Sequence, residues 1–196
     1  MSTIPDWNTD GFLPPVDILH PASFENRSPY KVTSKALVER FALNRQRCKI
    51  LHGFLKFRAG WYKIGLTNGI QWINGSFVEN KEQIKSVPPN DIDIATIAIL
   101  PEGVEEGELQ KKNPELFNRI SVRKKYLTDS LFILVDDEID MNYFLDTTVY
   151  WSGLWSHTRE YAWKGFLEVP FSPGDDKESL KLLKIKQKEF ENDDTV

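Results

Sequence analysis

The sequence predicts an α+β (α/β) domain, a small mixed β-sheet flanked by helices. Two observations carry that prediction. Short apolar runs gather in the middle of the chain, at residues 70–74, 92–100 and 131–135, at lengths that suit strands. Segments with helical spacing lie on either side, near residues 34–58 and 179–190. The chain has 196 residues, 40% hydrophobic and 28% charged, which suits one globular unit with a sizeable core.

Residues 1–30, rich in Pro, Asp and Asn, read as an irregular N-terminal arm anchored by Trp7, Phe12 and Leu13. The domain proper spans 31–190, and 191–196 reads as a frayed polar tail. Thr33 or Ser34 caps a helix whose apolar stripe runs through Val38, Phe41, Ile50, Leu51, Phe54 and Leu55. Residues 70–74 form a strand. Residues 80–90, with Pro88 and Pro89, form a polar loop. A buried strand follows at 92–100, then a turn and a weak helix at 108–117 interrupted by Pro114. The run 131–135 and the stretch 139–144 read as strands, 147–155 is aromatic-rich and ambiguous, and 165–169 is a strand ending at Pro170. A lysine-rich helix starts near Ser179.

Several function classes are excluded or disfavoured. A net charge of -4 argues against a broad DNA-binding surface. The single Cys48 rules out an internal disulfide framework and a cysteine metal cluster, and it fits a reducing compartment. No apolar run has membrane-spanning length, and no signal-peptide pattern opens the chain, so cytoplasm is the expected location, with no membrane partner. Zinc-type His spacing, a G-x-S-x-G elbow and a Walker lysine are all missing.

The segment 72–94, WINGSFVENKEQIKSVPPNDIDI, carries the chemistry. Asp91 and Asp93 are two apart at the head of a strand, so they face one side. Paired carboxylates repel unless a cation or a shared proton answers them, and hard divalent ions prefer such oxygen donors. The pattern Ile73, Gly75, Ser76, then Asp91 and Asp93 resembles the nucleotidyltransferase superfamily of DNA polymerase beta-like fold. The resemblance extends to a little-characterised bacterial branch with GSF and DID motifs. It includes Pro5, Trp7, Asn8, Gly11, Leu13, Pro14 and Pro15 near the start, and Lys164, Gly165, Phe166 and Leu167 near the end. The loop between Ser76 and Asp91 is longer than the compact motif.

The resemblance implies a nucleoside triphosphate held through Mg2+ (or Mn2+) on Asp91 and Asp93, with Gly75 and Ser76 cradling phosphates. Lys81, in a Lys-Glu pair that the branch shares, is a further nucleotide-binding candidate, against a reading as a solvated charge. A third carboxylate from a neighbouring strand would complete the site. Asp136, Asp137, Asp140, Asp146 and Glu168 are the candidates. Asp140 is preferred as metal ligand and catalytic residue because alternation through Ile139 and Met141 turns it away from them; Glu168 is second.

His157, Arg159 and Lys164 form a polar cluster that reads as surface residues, with a phosphate contact by Arg159 or Lys164 as the alternative. The aromatics Tyr150, Trp151, Trp155, Tyr161 and Trp163 read as packing, with base stacking as the alternative. The expected activity is transfer of a nucleoside monophosphate to a protein, RNA or small-molecule hydroxyl. By resemblance, a partner protein in a toxin–antitoxin or phage-defence system is expected. The alternative is an inactive nucleotide- or partner-binding module on the same fold.

Overall fold

The computed structural model describes residues 3–136 and 138–193. Its elements, in chain order, begin with β1 (Tyr30–Lys31), α1 (Ser34–Phe41), α2 (Arg45–Lys63) and β2 (Gly69–Asn74). After a 3-10 turn at Gly75–Phe77 come α3 (Lys81–Lys85), β3 (Ile92–Ile99), α4 (Glu106–Lys112), α5 (Pro114–Phe117) and α6 (Arg119–Tyr126). The chain finishes with β4 (Thr128–Val135), α7 (Met141–Trp155), β5 (Leu167–Pro170) and α8 (Pro173–Asp193). This is the expected α+β class.

The five strands form one mixed sheet in the order β1-β5-β2-β3-β4. β2 runs antiparallel to both β3 and β5, and β3 runs parallel to β4. One face, with Ile73, Ile94, Ala98 and Leu134, packs in the main core with the apolar sides of α1, α2 and α8. The first helical segment breaks at residues 42–44 because Asn44 caps a new helix, accepting from the Arg47 N–H at 2.9 Å. Inside this core Arg58 is fully buried; Asp176, Gln71 and the Pro170 carbonyl accept its N–H groups at 2.7–2.9 Å. A buried guanidinium is tolerable only with such complete pairing. The other face, with Ala95, Ile97 and Ile133, is covered by Trp151 and Trp155 of α7 and by Phe166.

Four expectations differ from the structure. Residues 139–144 are not a strand: Asp140 caps α7, accepting from the Asn142 N–H at 2.9 Å, and the helix takes in the ambiguous aromatic stretch. The local alternation at Ile139 and Met141 mimicked a strand, but Phe144, Trp151 and Trp155 are spaced to meet one sheet face from a helix. Ser179 is not a cap. It lies buried inside α8, which begins six residues earlier at Pro173, and its hydroxyl bonds Ser34 and the Asp175 carbonyl. Within the expected polar loop, Lys81–Lys85 form the short helix α3. Of the expected tail, the described residues 191–193 continue α8, while 194–196 lie outside the described residues.

The arm is stitched to the domain. Trp7 donates its indole N–H to the Val78 carbonyl at 2.7 Å, Asn80 N donates to Gly11 O at 2.8 Å, and Gly165 N donates to Leu13 O at 2.7 Å. Gly165 admits this last contact because a Cβ there would stand 2.5 Å from the Pro14 carbonyl oxygen.

Candidate functional site

The chemistry gathers at one end of the sheet, where β2 ends and β3 and β4 begin. Antiparallel pairing sets Asn74 opposite Asp93, and parallel pairing sets Asp93 opposite Asp129. Partners in register share a face, so Asp93 and Asp129 stand side by side one strand apart. Asp91 precedes β3 by one residue and faces the same way by alternation.

Gly75 follows Asn74 with φ +76, and a Cβ built on it would lie 1.8 Å from the Asp93 Oδ2. Only glycine admits both that backbone and that closeness. The Gly-Ser turn and the Asp-x-Asp strand therefore meet at one end of the sheet.

Burial pushes the Asp93 carboxyl up to about 6, and the negative charges of Asp91 and Asp129 add to that shift, while Lys164 and Arg123 oppose it. Asp129 is held below the ordinary carboxylate range by its hydrogen bonds to Arg119. That arginine forks onto both oxygens, with Nη2 at 2.8 Å from Oδ2 and Nε on Oδ1. Arg123 places Nη2 2.6 Å from Asp91 Oδ2 and Nη1 3.9 Å from Asp129 Oδ2. Both arginines belong to α6, whose C-terminus feeds directly into β4.

On the opposite flank Lys164 is buried, with Nζ 2.5 Å from Glu79 Oε1 and 3.5 Å from Gly75 O. It is not the surface residue the sequence suggests. The Asn74 side chain donates to Trp155 O at 2.9 Å, while its Oδ1 is buried with no partner.

The turn is braced from behind by Arg47 at the start of α2. Its guanidinium donates to Phe77 O at 2.6 Å, Glu79 O at 2.7 Å and both oxygens of Glu82 at 2.7 and 2.8 Å. In the Lys-Glu pair it is thus Glu82 that is engaged, while Lys81 opens α3. Ser76 lies within the 3-10 turn, half-buried.

The structure does not bring Asp140 to this cluster. Asp93 sits beside the α7 C-terminus, through Asn74 and Trp155, whereas Asp140 caps the N-terminus of that 15-residue helix. At 1.5 Å per residue the separation is about 20 Å. Glu168 shares the sheet face but pairs with Trp72, whose indole N–H it accepts at 3.1 Å. Two strands and two residues separate it from Asp93, on the order of 11 Å. Asp136 accepts from Glu138 N in an exposed turn, and Asp146 is exposed on α7. Asp137 lies outside the described residues.

The acid that does approach, Asp129, was missed because the apolar run signals a strand only from Leu131. Thr128-Asp129-Ser130 is the polar head of that same strand, as Asp91 is of its neighbour. Trp151 and Trp155 are buried packing residues as expected, whereas Tyr161 and Trp163 are exposed. Cys48 is a buried thiol, pushed up to about 11 by burial, and so is unsuited to nucleophilic work.

Asp91, Asp93 and Asp129 are oxygen donors of the type a hard divalent cation prefers, and burial first, then the charges of Asp91 and Asp129, raises Asp93. Their oxygens are not gathered around one point, because Asp91 and Asp129 turn to the arginines. Among the described residues no group of three or more His, Cys, Asp or Glu side chains is placed to hold a metal ion.

The fold and site define an α+β domain with an acidic cluster beside a glycine turn. The chain belongs to the family of unknown function DUF6932, which matches residues 5–170. No curated protein and no solved structure matches it. No helix among the described residues is long and apolar enough to cross a membrane.

Proposed function

We propose that the protein is a cytoplasmic, Mg2+- or Mn2+-dependent nucleotidyltransferase, with Asp91, Asp93 and Asp129 as its acidic set. The observation that carries this reading is the register that sets Asp129 beside Asp93, at the mouth of the Gly75–Ser76 turn. A divalent ion bound there would neutralise the triphosphate and favour deprotonation of an acceptor hydroxyl.

The chain's own residues supply the rest. Gly75 lets the backbone approach phosphate closely, and Ser76 offers a hydroxyl donor. Lys164 adds a fixed positive charge behind the turn. Arg47 and the arm hold the turn still, which matters because phosphoryl chemistry depends mainly on positioning and charge. The acceptor, a hydroxyl of a protein, RNA or small molecule, would attack the α-phosphorus and lose its proton to solvent, so that a nucleoside monophosphate is transferred and pyrophosphate leaves as the α–β phosphoanhydride bond breaks. A partner within a toxin–antitoxin or phage-defence system belongs to the same proposal, by resemblance alone.

A second reading is a binding or regulatory module without turnover. What favours it is that Arg119 and Arg123 already neutralise Asp129 and Asp91. Incubation with each labelled nucleoside triphosphate, Mg2+ and total cell RNA or protein separates the two. Label transfer that Asp129→Asn abolishes supports the enzyme. Nucleotide binding without transfer supports the module.

A further inference from the structure

We propose that the outward side of α7 is the contact face of a two-fold dimer, docking antiparallel against α7 of a second copy of this chain. The proposal goes beyond the nucleotidyltransferase reading and does not depend on it.

One side of α7 meets the sheet, through Trp151 and Trp155. Its other side is apolar and open to solvent, with Tyr143, Val149, Tyr150 and Leu154 45–69% exposed. The loop that follows turns back on the helix end, where Lys164 N donates to Ser156 O at 2.9 Å and His157 pairs with Trp163. That loop adds Tyr161 and Trp163, both largely exposed. At roughly 150–250 Å² per aromatic side chain, these six residues leave on the order of 600 Å² of apolar surface in water. The largest patch on a typical monomer is about 300–600 Å². A stable interface covers about 800 Å² on each partner, about 55–65% of it apolar, or roughly 450–500 Å². The patch is therefore large enough to supply the apolar part of a dimer interface.

Charge selects the occupant. From Met141 to Trp155 the only charged residue is Asp146. With no Lys or Arg, the helix lacks what holds nucleic acid or a lipid headgroup. A nearly uncharged face meets a copy of itself with little repulsion. The ends set the orientation. Asp136, Glu138 and Asp140, all exposed, lead into α7, whereas Arg159 follows it with Glu160 beside it. Parallel docking would stack acid on acid. Antiparallel docking sets each acidic lead-in beside the far end of the other helix and opposes the helix dipoles favourably. A two-fold axis through Asp146 would still oppose two carboxylates. Between Val149 and Tyr150 it instead sets Asp146 against Gly153 of the second copy, where a Cβ would meet nothing within 4 Å. The two carboxylates then stand about 10 Å apart along the helix.

Sedimentation equilibrium of the full chain tests this. At about 50 µM, wild type is expected as a dimer of the 22.7 kDa chain. Val149→Glu combined with Leu154→Glu is expected to lower dimer affinity about 100-fold or more with unchanged far-UV circular dichroism, because like charges then meet without water. Cross-linking reads the same contact without added charge. A short bismaleimide should capture Val149→Cys as a covalent dimer, while Ile18→Cys, exposed on the arm, should stay monomeric; the native Cys48 is buried. A wild type that remains a 22.7 kDa monomer assigns the face to a different partner and overturns the proposal. So does a folded double variant that stays dimeric, or capture of Ile18→Cys in preference to Val149→Cys.

Discussion

Replacing Asp93 with Asn should stabilise the protein at neutral pH and do nothing at pH 3. The carboxyl titrates at about 6 in the folded chain against an ordinary 3.8. The folded state therefore binds the proton more tightly than the unfolded state. Between those values the native protein carries more protons than the unfolded chain, so its stability falls as pH rises. The loss is complete above about pH 7. At 1.36 kcal/mol per pH unit, the ionised Asp93 costs about 3 kcal/mol.

Asn has nearly the same shape, keeps the contact with Gly75 and carries no charge. The Asn variant should then gain about 3 kcal/mol at pH 7, or about 6–12 °C in Tm for a chain of this size. Urea denaturation from pH 3 to pH 8 measures the difference, which should open between pH 4 and pH 7. Saturating Mg2+ should narrow it by stabilising the wild type alone. A gap that stays constant with pH, or an Asn variant less stable at pH 7, refutes the argument.

Asp129→Asn should abolish nucleotidyl transfer, whereas Asp140→Ala should leave transfer intact and cost about 1 kcal/mol as a lost helix cap, both read from initial rates and thermal melts. Gly75→Ala should cost about 1–3 kcal/mol in a urea titration, because it forces a left-handed alanine against Asp93; the displaced carboxyl should then titrate nearer its ordinary value by NMR. Arg47→Ala should cost about 3 kcal/mol or more in urea denaturation, and Arg47→Lys should not rescue it, since an ammonium cannot fork onto Glu82 while also bonding two carbonyls.

Much of the site was legible in the sequence, and the part that was not has a physical cause. Asp91 and Asp93 could be paired because strand alternation is a local property, and Gly75 was joined to them by the resemblance of the motif. The third acid was not legible because it depends on a register between residues 36 apart in the chain. Nothing in the immediate surroundings of Asp129 announces that Thr128 will pair with Ile92. Local alternation around Asp140 has the pattern of a strand, but an Asp before an apolar stretch serves equally as a helix cap. The supporting cations were invisible for the same reason. Arg47 and Arg123 sit on helices whose patterns say which face is wet, but not which carboxylate stands opposite. The two-residue strand β1 exists only because β5, 137 residues later, offers it an edge.

The distances along the chain that build this site also set when it can exist. The Gly75 turn is held by Trp7 and Gly11 on one side and by Lys164 on the other, and Asp93 finds its environment only once β4 has docked. Such far-separated closures are slow compared with helix formation. At pH 5 the finished fold holds a proton on Asp93 that the unfolded chain largely lacks. Asp93 therefore takes up a proton on refolding at that pH, and the difference in a pH-dye signal between wild type and Asp93→Asn, in a weakly buffered stopped-flow mixture, would time the closing of the cluster separately from the growth of helix signal.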